Sequence, residues 1–309
     1  MDAVKIVTGA GPVGWTVATQ LAESGHRVRV LTRSGSGPDH ELVEPRRVDA
    51  SQPDALKAAV AGADTVFHCI HGSKYNADVW RRELPAAERA VLRAAGEAGA
   101  VVVFPESLYS YSRPEAAMRE DSPRTAGAGK RGVRTGLLAA RAASPTPTVS
   151  VVASDFFGPR VRNAHAGERM VPLILTGKRV PVMAQADVPH SFTYVPDLAA
   201  AMIRAAGMPR LWNSVLHAPT GPALSQRELA GAFALAAGLP APKVGAIPSW
   251  VVRAAGPFSR DLRDLAETLY QFQRPFTMDS AASQKMLALA PTPLETAARE
   301  TVEWWRAVS

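Results

Sequence analysis

Gly9, Gly11 and Gly14, with Pro12 and Val13 between the last two, form a G-x-G-x-x-G run. It closes the apolar stretch Val4-Lys5-Ile6-Val7-Thr8 and opens an amphipathic one. In that setting the spacing has a chemical meaning. The first glycine permits a tight turn, the second lets the backbone approach a pyrophosphate, and the third lets a helix pack close on a strand. A helix start adds N–H groups and partial positive charge for the phosphates. The sequence therefore predicts a dinucleotide held at Gly9, Gly11, Pro12, Val13 and Gly14. About twenty residues on, an Asp or Glu would bind an unmodified adenosine ribose. Here Thr32, Arg33 and Ser34 stand in that place, with no carboxylate until Asp39. A guanidinium beside a hydroxyl suits a 2′-phosphate through charge-assisted hydrogen bonds, so NADP(H) is favoured over NAD(H).

Other chemistries lack their residues. Cys69 is the only cysteine, so no intrachain disulfide forms, and the cytoplasm is the default compartment. His26, His40, His68, His165 and His217 show no ligand spacing with Cys or carboxylates, so no metal is expected. No nucleophile elbow is present.

The elements that must position the glycine turn are legible as alternating patterns. Short apolar runs at 4–8, 28–32, 65–70, 101–104 and 149–153, with a shorter one ending near Val48-Asp49, read as strands buried on both faces. Helical stretches at 13–24, 53–61, 79–98 and 130–143 lie between them, and Gly25 and Gly99 sit where helices should stop. This is the signature of βαβ units. Past Gly158-Pro159 the chain is broken by Pro and Gly, and helical periodicity returns at 197–206, 226–237 and 294–308. The expected class is α/β, a Rossmann-type doubly wound parallel sheet with a small C-terminal substrate lobe. Residues 1–157 would form the dinucleotide-binding domain, with a return segment near 188–217, and 158–309 mainly the substrate-binding lobe.

The 309 residues suffice for a sizeable core, and 47% hydrophobic against 20% charged residues is a globular balance. No apolar run approaches the ~20 residues that span a bilayer, and Met1 to Val7 lacks the basic start and cleavage site of a signal peptide. No membrane partner is expected. The net charge of +7 is spread over many helices, as at Arg81-Arg82, Arg204 and Arg299, with no basic arm, so nucleic acid is not expected either.

Taken together, several segments resemble the extended or atypical short-chain dehydrogenase/reductase family, which includes the NAD(P)-dependent epimerase/dehydratase-like proteins. They are Thr8-Gly9 to Gly14, Val48-Asp49, Ala63 to Cys69, Glu106-Ser107 to Tyr111, Ser154-Asp155-Phe156-Phe157-Gly158-Pro159 and Phe192-Thr193-Tyr194-Val195-Pro196-Asp197-Leu198. The resemblance implies that Asp49 meets the adenine and that Ile70 and His71 line the dinucleotide. Family members transfer hydride with a Ser or Thr and a Tyr-x-x-x-Lys pair, the Tyr moving the substrate proton and the Lys lowering its pKa. Ser107 fits the serine. Lys130 falls where the Tyr belongs and Arg134 where the Lys belongs, four residues apart on one helix face. Arg134 can still bind ribose or phosphates, but it stays protonated. The proton donor is then Lys130, with its pKa lowered, or the phenol of Tyr109 or Tyr111.

Relatives acting on nucleotide sugars often place an arginine before the Phe-x-Tyr-Val-x-Asp segment to grip the diphosphate. Here His190-Ser191 stand there, and His190 reads equally as a packed histidine or a site residue. Trp250, Phe258, Tyr270, Phe272, Phe276 and Met278 instead offer an apolar, aromatic lining. The expected function is an NADP(H)-dependent oxidoreductase acting on a carbonyl or alcohol of a small, largely apolar or aromatic molecule. Two alternatives stand beside it. One is a tailoring enzyme of secondary metabolism performing hydroxylation, cyclisation or dehydration of an aromatic substrate, and the other is a non-catalytic dinucleotide-sensing regulator. A homodimer is left open.

Overall fold

The structure, a computed structural model, describes residues 3–308. The first half runs β1 (Val4–Thr8), α1 (Pro12–Glu23), β2 (Val28–Thr32), β3 (Val43–Arg47), α2 (Pro53–Val60), β4 (Ala63–His68), α3 (Ala77–Ala98), β5 (Val101–Ser107), α4 (Gly129–Ala142) and β6 (Thr148–Ala153). The second continues β7 (Asp155–Phe157), α5 (Val171–Leu175), β8 (Val180–Met183), β9 (Phe192–Tyr194), α6 (Val195–Ala206), β10 (Ser214–His217), α7 (Gln226–Ala236), β11 (Val244–Ile247), α8 (Ser249–Ala255), α9 (Arg260–Ala266), α10 (Ala281–Leu287) and α11 (Leu294–Val308). Seven strands form one parallel sheet in the order β10-β6-β5-β4-β1-β2-β3. The direction of winding reverses between β1 and β4, and open α/β sheets bind ligands at that crevice.

Strand alternation divides the apolar residues between two cores. Val7, Val30, Phe67, Val103 and Val151 face the side covered by α1 and α6. Ile6, Leu31, Val66, Val102 and Phe104 face the side covered by α2 and α3. Because both faces are dry, the strands carry near-continuous apolar runs, and each fully buried Val or Leu contributes about 1.5–3 kcal/mol. A third core joins α5, α7 and α11 to β8 and β9 in the C-terminal half. No helix of the described residues is long and apolar enough to cross a membrane.

Several boundaries depart from the expected ones for physical reasons. The strand expected at 65–70 spans 63–68; Cys69 N–H still bonds to the Thr8 carbonyl at 2.9 Å, and Cys69 and Ile70 then wall the glycine turn. The strand expected to end near Val48-Asp49 lies at Val43–Arg47. It pairs only with β2, and an edge position tolerates its Pro45. The strand expected at 101–104 runs on to Ser107, past Pro105. β4 pairs with it only as far as Val103, so its outer stretch is held by β6 alone. None of β7 to β11 was expected from the sequence; β10 adds the seventh strand of the main sheet beside β6, and β7, β8, β9 and β11 lie outside it. They form two-stranded pairs of three or four residues, too short to show an alternation.

Candidate active site

The glycine turn is built as its spacing requires. Gly9 has φ +89°, and a side chain there would press on the Cys69 carbonyl at 3.1 Å. A Cβ on Gly14 would lie 2.0 Å from the Gly9 carbonyl oxygen, so α1 can approach β1 only through a glycine. Gly11 faces open space, with nothing within 4 Å of where its Cβ would be, and it caps α1 without any side-chain hydrogen bond. A tight back and an open, uncapped front are what a pyrophosphate on a helix N-terminus needs. Pro12 and Val13 form the first helical turn.

At the ends of β2 and β3 lie Thr32, Arg33 and Ser34, the last two exposed. Thr32 donates to the Ser36 carbonyl, and Ser34 and Ser36 share a 2.8 Å hydroxyl contact. Thr32 is in register with Arg47, an exposed arginine on β3 that sequence reasoning passed over. Asp49 accepts from Ser51 N at 2.9 Å; that bond and the nearby Arg33 charge lower its pKa. Ile70 touches the Gly9 position, and His71, at the rim, stacks edge-on against Trp80 at 4.7 Å. Close packing, and then the charge of Arg134, hold His71 down at about 4, so its ring is neutral. Behind them His68, held at about 3 by burial, meets Thr8 Oγ1 at 2.8 Å and ties β4 to β1. Burial pushes the Cys69 thiol up to about 12.

Ser107 ends β5 among buried charges. Its N–H and its Oγ both donate to Glu106 Oε1, at 2.7 and 3.3 Å. Glu106 is shared by Arg134 at 3.4 Å and Arg141 at 2.9 Å, and Arg141 also grips Glu88 through two bonds. The carboxylate that orients Ser107 is thus neutralised from both sides. Arg134 lies over the Trp80 ring at 4.9 Å, and its Nε is buried without a hydrogen-bond partner.

Lys130 is fully buried, and its ammonium is committed to the Glu267 carboxylate at 3.0 Å and the Asp264 carbonyl. It therefore joins α4 to α9 and to Glu267 just beyond it, a cross-tie to which Asn76 adds hydrogen bonds to the Asp264 carboxylate. The phenol of Tyr109 bonds to the phenol of Tyr75, a residue the sequence did not single out, and the Lys130 ammonium lies 4.3 Å over the Tyr75 ring. Burial raises both phenols, Tyr75 to about 12 and Tyr109 well above its ordinary value. Tyr111 turns elsewhere, packing with Met118, Phe276 and Met278 while its hydroxyl meets His217 Nε2 at 2.6 Å.

The aromatic residues expected to line a pocket separate. Trp250 and Phe258 are 69% and 92% exposed, whereas Phe272, Phe276 and Met278 are buried. Of that set Tyr270 has a buried hydroxyl with no hydrogen-bond partner. His190 is buried between Phe272 and Phe276. Among the described residues no group of three or more His, Cys, Asp or Glu side chains is placed to hold a metal ion.

A family model described as NAD dependent epimerase/dehydratase family matches residues 5–213. The crystal structure of the Bordetella bronchiseptica enzyme WbmH in complex with NAD+ superimposes with a TM-score of 0.75 at 18% identity, covering 100% of both chains. UDP-glucuronic acid 4-epimerase from Bacillus cereus in complex with NAD gives 0.76 at 15% identity, covering 99% of this chain and 97% of that one. These likenesses concern the fold. Among curated proteins, 3 beta-hydroxysteroid dehydrogenase/Delta 5→4-isomerase of Mycobacterium tuberculosis is 41% identical over 66 residues. That match spans 21% of this chain and 18% of the relative's length.

Proposed function

The chain belongs to the NAD dependent epimerase/dehydratase family, and from that premise we propose that it is an NADP(H)-dependent reductase of small carbonyl compounds. The observation that carries this reading is the open glycine cradle flanked by Arg33 and Arg47, with no carboxylate at the end of β2. The backbone from Gly9 to Gly14 would hold the pyrophosphate and the two arginines a 2′-phosphate. Asp49 would lie toward the adenine, and Ile70 and His71 along the dinucleotide. The bound dinucleotide supplies the hydride.

The chain's own residues do the rest. Ser107 would turn its one hydroxyl hydrogen from Glu106 Oε1, a long 3.3 Å contact, to the substrate oxygen. The phenols of Tyr75 and Tyr109, kept protonated by burial, would donate to a developing alkoxide. Tyr75, which is exposed, and Tyr270, which is part-exposed, would supply rings for a largely apolar or aromatic substrate. Calorimetric titration with NADPH, NADP+, NADH and NAD+ tests the cofactor, with Arg33→Asp and Arg47→Asp in parallel. NADPH should bind at least about tenfold tighter than NADH, a difference of ~1.4 kcal/mol, and the variants should remove that margin. Binding of none of the four refutes the reading.

A second reading, a dinucleotide-sensing protein without chemistry, is favoured by one observation. Lys130 and Arg134, at the two positions of the family's proton-transfer pair, are both engaged by carboxylates. NADPH binding without turnover of any compound in a panel of aromatic aldehydes, ketones and quinones selects it.

A further inference from the structure

After β7 the chain passes through Gly158, Pro159 and Arg160 on its way back to α1. A Cβ on Gly158, which has φ +134°, would press on the Tyr194 ring at 3.1 Å. Val161 is buried in the same core as Val13 and Val17 of α1. Its N–H bonds to the Gly158 carbonyl at 3.3 Å, and the Arg162 carbonyl accepts from Glu168 N–H at 2.9 Å. Between these fixed points Arg160 is held with φ +67°. A side chain makes that left-handed conformation unfavourable, whereas glycine adopts it readily. Packing does not call for an arginine here, since the residue is exposed. Strain kept at such a position points to a use for the side chain.

The Arg160 guanidinium lies over the Trp15 ring, 3.8 Å from its centroid. Trp15 belongs to the first turn of α1, and its N–H bonds to the Gly11 carbonyl at 2.8 Å. Helical side chains lean toward the N-terminus, so the Trp15 ring covers the turn that Gly11 and Pro12 open. Arg160 is thereby brought beside the glycine turn, on whose open side Gly11 has nothing within 4 Å of its Cβ position. Cation–π attraction holds a guanidinium over an indole and leaves its N–H groups to offer. Among the described residues Arg160 makes no hydrogen bond and no ion pair. Burial first, and then the Arg162 charge, lower its pKa, so the charge acting on it is another cation. Arg162 itself is turned to the Trp304 and Trp305 rings of α11. What Arg160 lacks is an anion.

We propose that Arg160, mounted on Trp15, binds the pyrophosphate of the dinucleotide beside the glycine turn. The proposal rests on the cofactor reading above. A helix start and backbone N–H groups carry only partial charge, whereas a pyrophosphate carries two full negative charges. Arg160 supplies a full positive charge and the paired donors that suit phosphate oxygens. The three arginines then divide the ligand between them. Arg33 and Arg47, at the ends of β2 and β3, address the 2′-phosphate that only one dinucleotide carries, and Arg160 holds the group that both share.

The test uses the full chain and the variants Arg160→Gly, Arg160→Asn and Arg160→Lys. Glycine and asparagine accept a left-handed φ more readily than arginine, so neither should lower Tm. Asparagine keeps a β-carbon, so a loss seen in both does not come from a loosened loop. Calorimetric titration follows NADPH, NADH and adenosine 2′-monophosphate, which has the 2′-phosphate but no pyrophosphate. The two neutral variants should bind NADPH and NADH more weakly by about tenfold or more, and by the same factor for each. Adenosine 2′-monophosphate should bind them as it binds the parent. Arg160→Lys, which keeps the charge without the fork, should recover part of the loss. Added salt should weaken NADPH binding more steeply in the parent than in the neutral variants. Unchanged NADPH affinity in Arg160→Gly overturns the proposal. So does a loss confined to NADPH, or one shared by adenosine 2′-monophosphate, since either puts Arg160 on the 2′-phosphate. A parent chain that binds neither dinucleotide overturns the cofactor reading, and that failure is told apart because it precedes any substitution.

Discussion

Replacing Gly11 and Gly14 separately by alanine sets two functions of one motif against each other. At Gly14 the new Cβ would stand 2.0 Å from the Gly9 carbonyl oxygen and 3.2 Å from Cys69 Cβ. Alanine is the better helix former by about 1 kcal/mol. Overpacking against fixed backbone costs about 1–3 kcal/mol and occasionally more, and here the contact is with backbone, which cannot rotate away. The clash should win. Unfolding entropy near 2.1 cal/mol/K per residue converts that cost into a fall in Tm of roughly 2–5 °C for a chain of this length. The dinucleotide site should be lost with it, because α1 must move off β1. At Gly11 the new methyl meets nothing, and φ of −69° suits alanine. Stability should drop by less than about 1 kcal/mol, the weaker N-cap being the only cost. NADPH affinity should nevertheless fall by tenfold or more, about 1.4 kcal/mol, since the methyl projects where the pyrophosphate must approach. Thermal unfolding and calorimetric titration of both variants decide it. If Gly11→Ala binds NADPH normally, the open side of the turn is not the phosphate side, and the cofactor argument fails.

Arg141→Met should leave Glu88 and Glu106 buried without their shared cation and cost about 3–5 kcal/mol, a Tm loss of roughly 5–8 °C; a loss below 1 kcal/mol would mean the cluster is not what anchors β5. Acid should weaken the fold through buried histidines, whose effect begins above the ordinary carboxylate range. His68 and His165 are lowered by burial from 6.5 to about 3 and about 4. The unfolded chain therefore takes up protons that the folded one refuses, so their contribution is complete above pH ~6.5 and is lost as pH falls toward 4. The slope is about 1.4 kcal/mol per pH unit for each. Urea midpoints at pH 7 and pH 5 measure it, and equal midpoints refute it. Lys130→Met should speed hydrogen exchange across 260–268 and leave exchange in β1 to β6 unchanged; unaltered exchange would show that Lys130 does not hold that segment in place.

The dinucleotide half was legible because its signals are local and repeated. Both faces of the inner strands are buried, so each of these reads as an apolar run, and the turn between β1 and α1 declares itself through three glycines, of which Gly9 and Gly14 have steric reasons in the structure. What escaped was set by tertiary pairing. Arg47 lies fourteen residues beyond Arg33 in sequence but beside Thr32 across the β2–β3 ladder, and a register cannot be read from one strand alone. Tyr75 becomes notable only because Tyr109 folds onto it. Burial was the other hidden quantity. Lys130 at the first turn of α4 looks like a solvated helix-start lysine until Glu267, from 137 residues away, closes over it.

That closure bears on why the family's proton-transfer pair is absent. Lys130 and Arg134 keep the four-residue spacing, so both still occupy one face of α4. Each now answers a carboxylate, Glu267 for Lys130 and Glu106 for Arg134. Glu106 is sealed, and a phenol or a neutral amine opposite it would leave a buried charge half-compensated, which is costly. Arg134 therefore belongs to a charge arrangement that already includes Glu88, Glu106 and Arg141, while Lys130 forms a separate pair with Glu267. Reinstating a tyrosine at 130 alone would strip Glu267 of its partner and place the phenol in a sealed position rather than in the cleft. Outside the Glu88–Glu106–Arg134–Arg141 arrangement, the phenols of Tyr75 and Tyr109 are joined to each other beside the Lys130 ammonium.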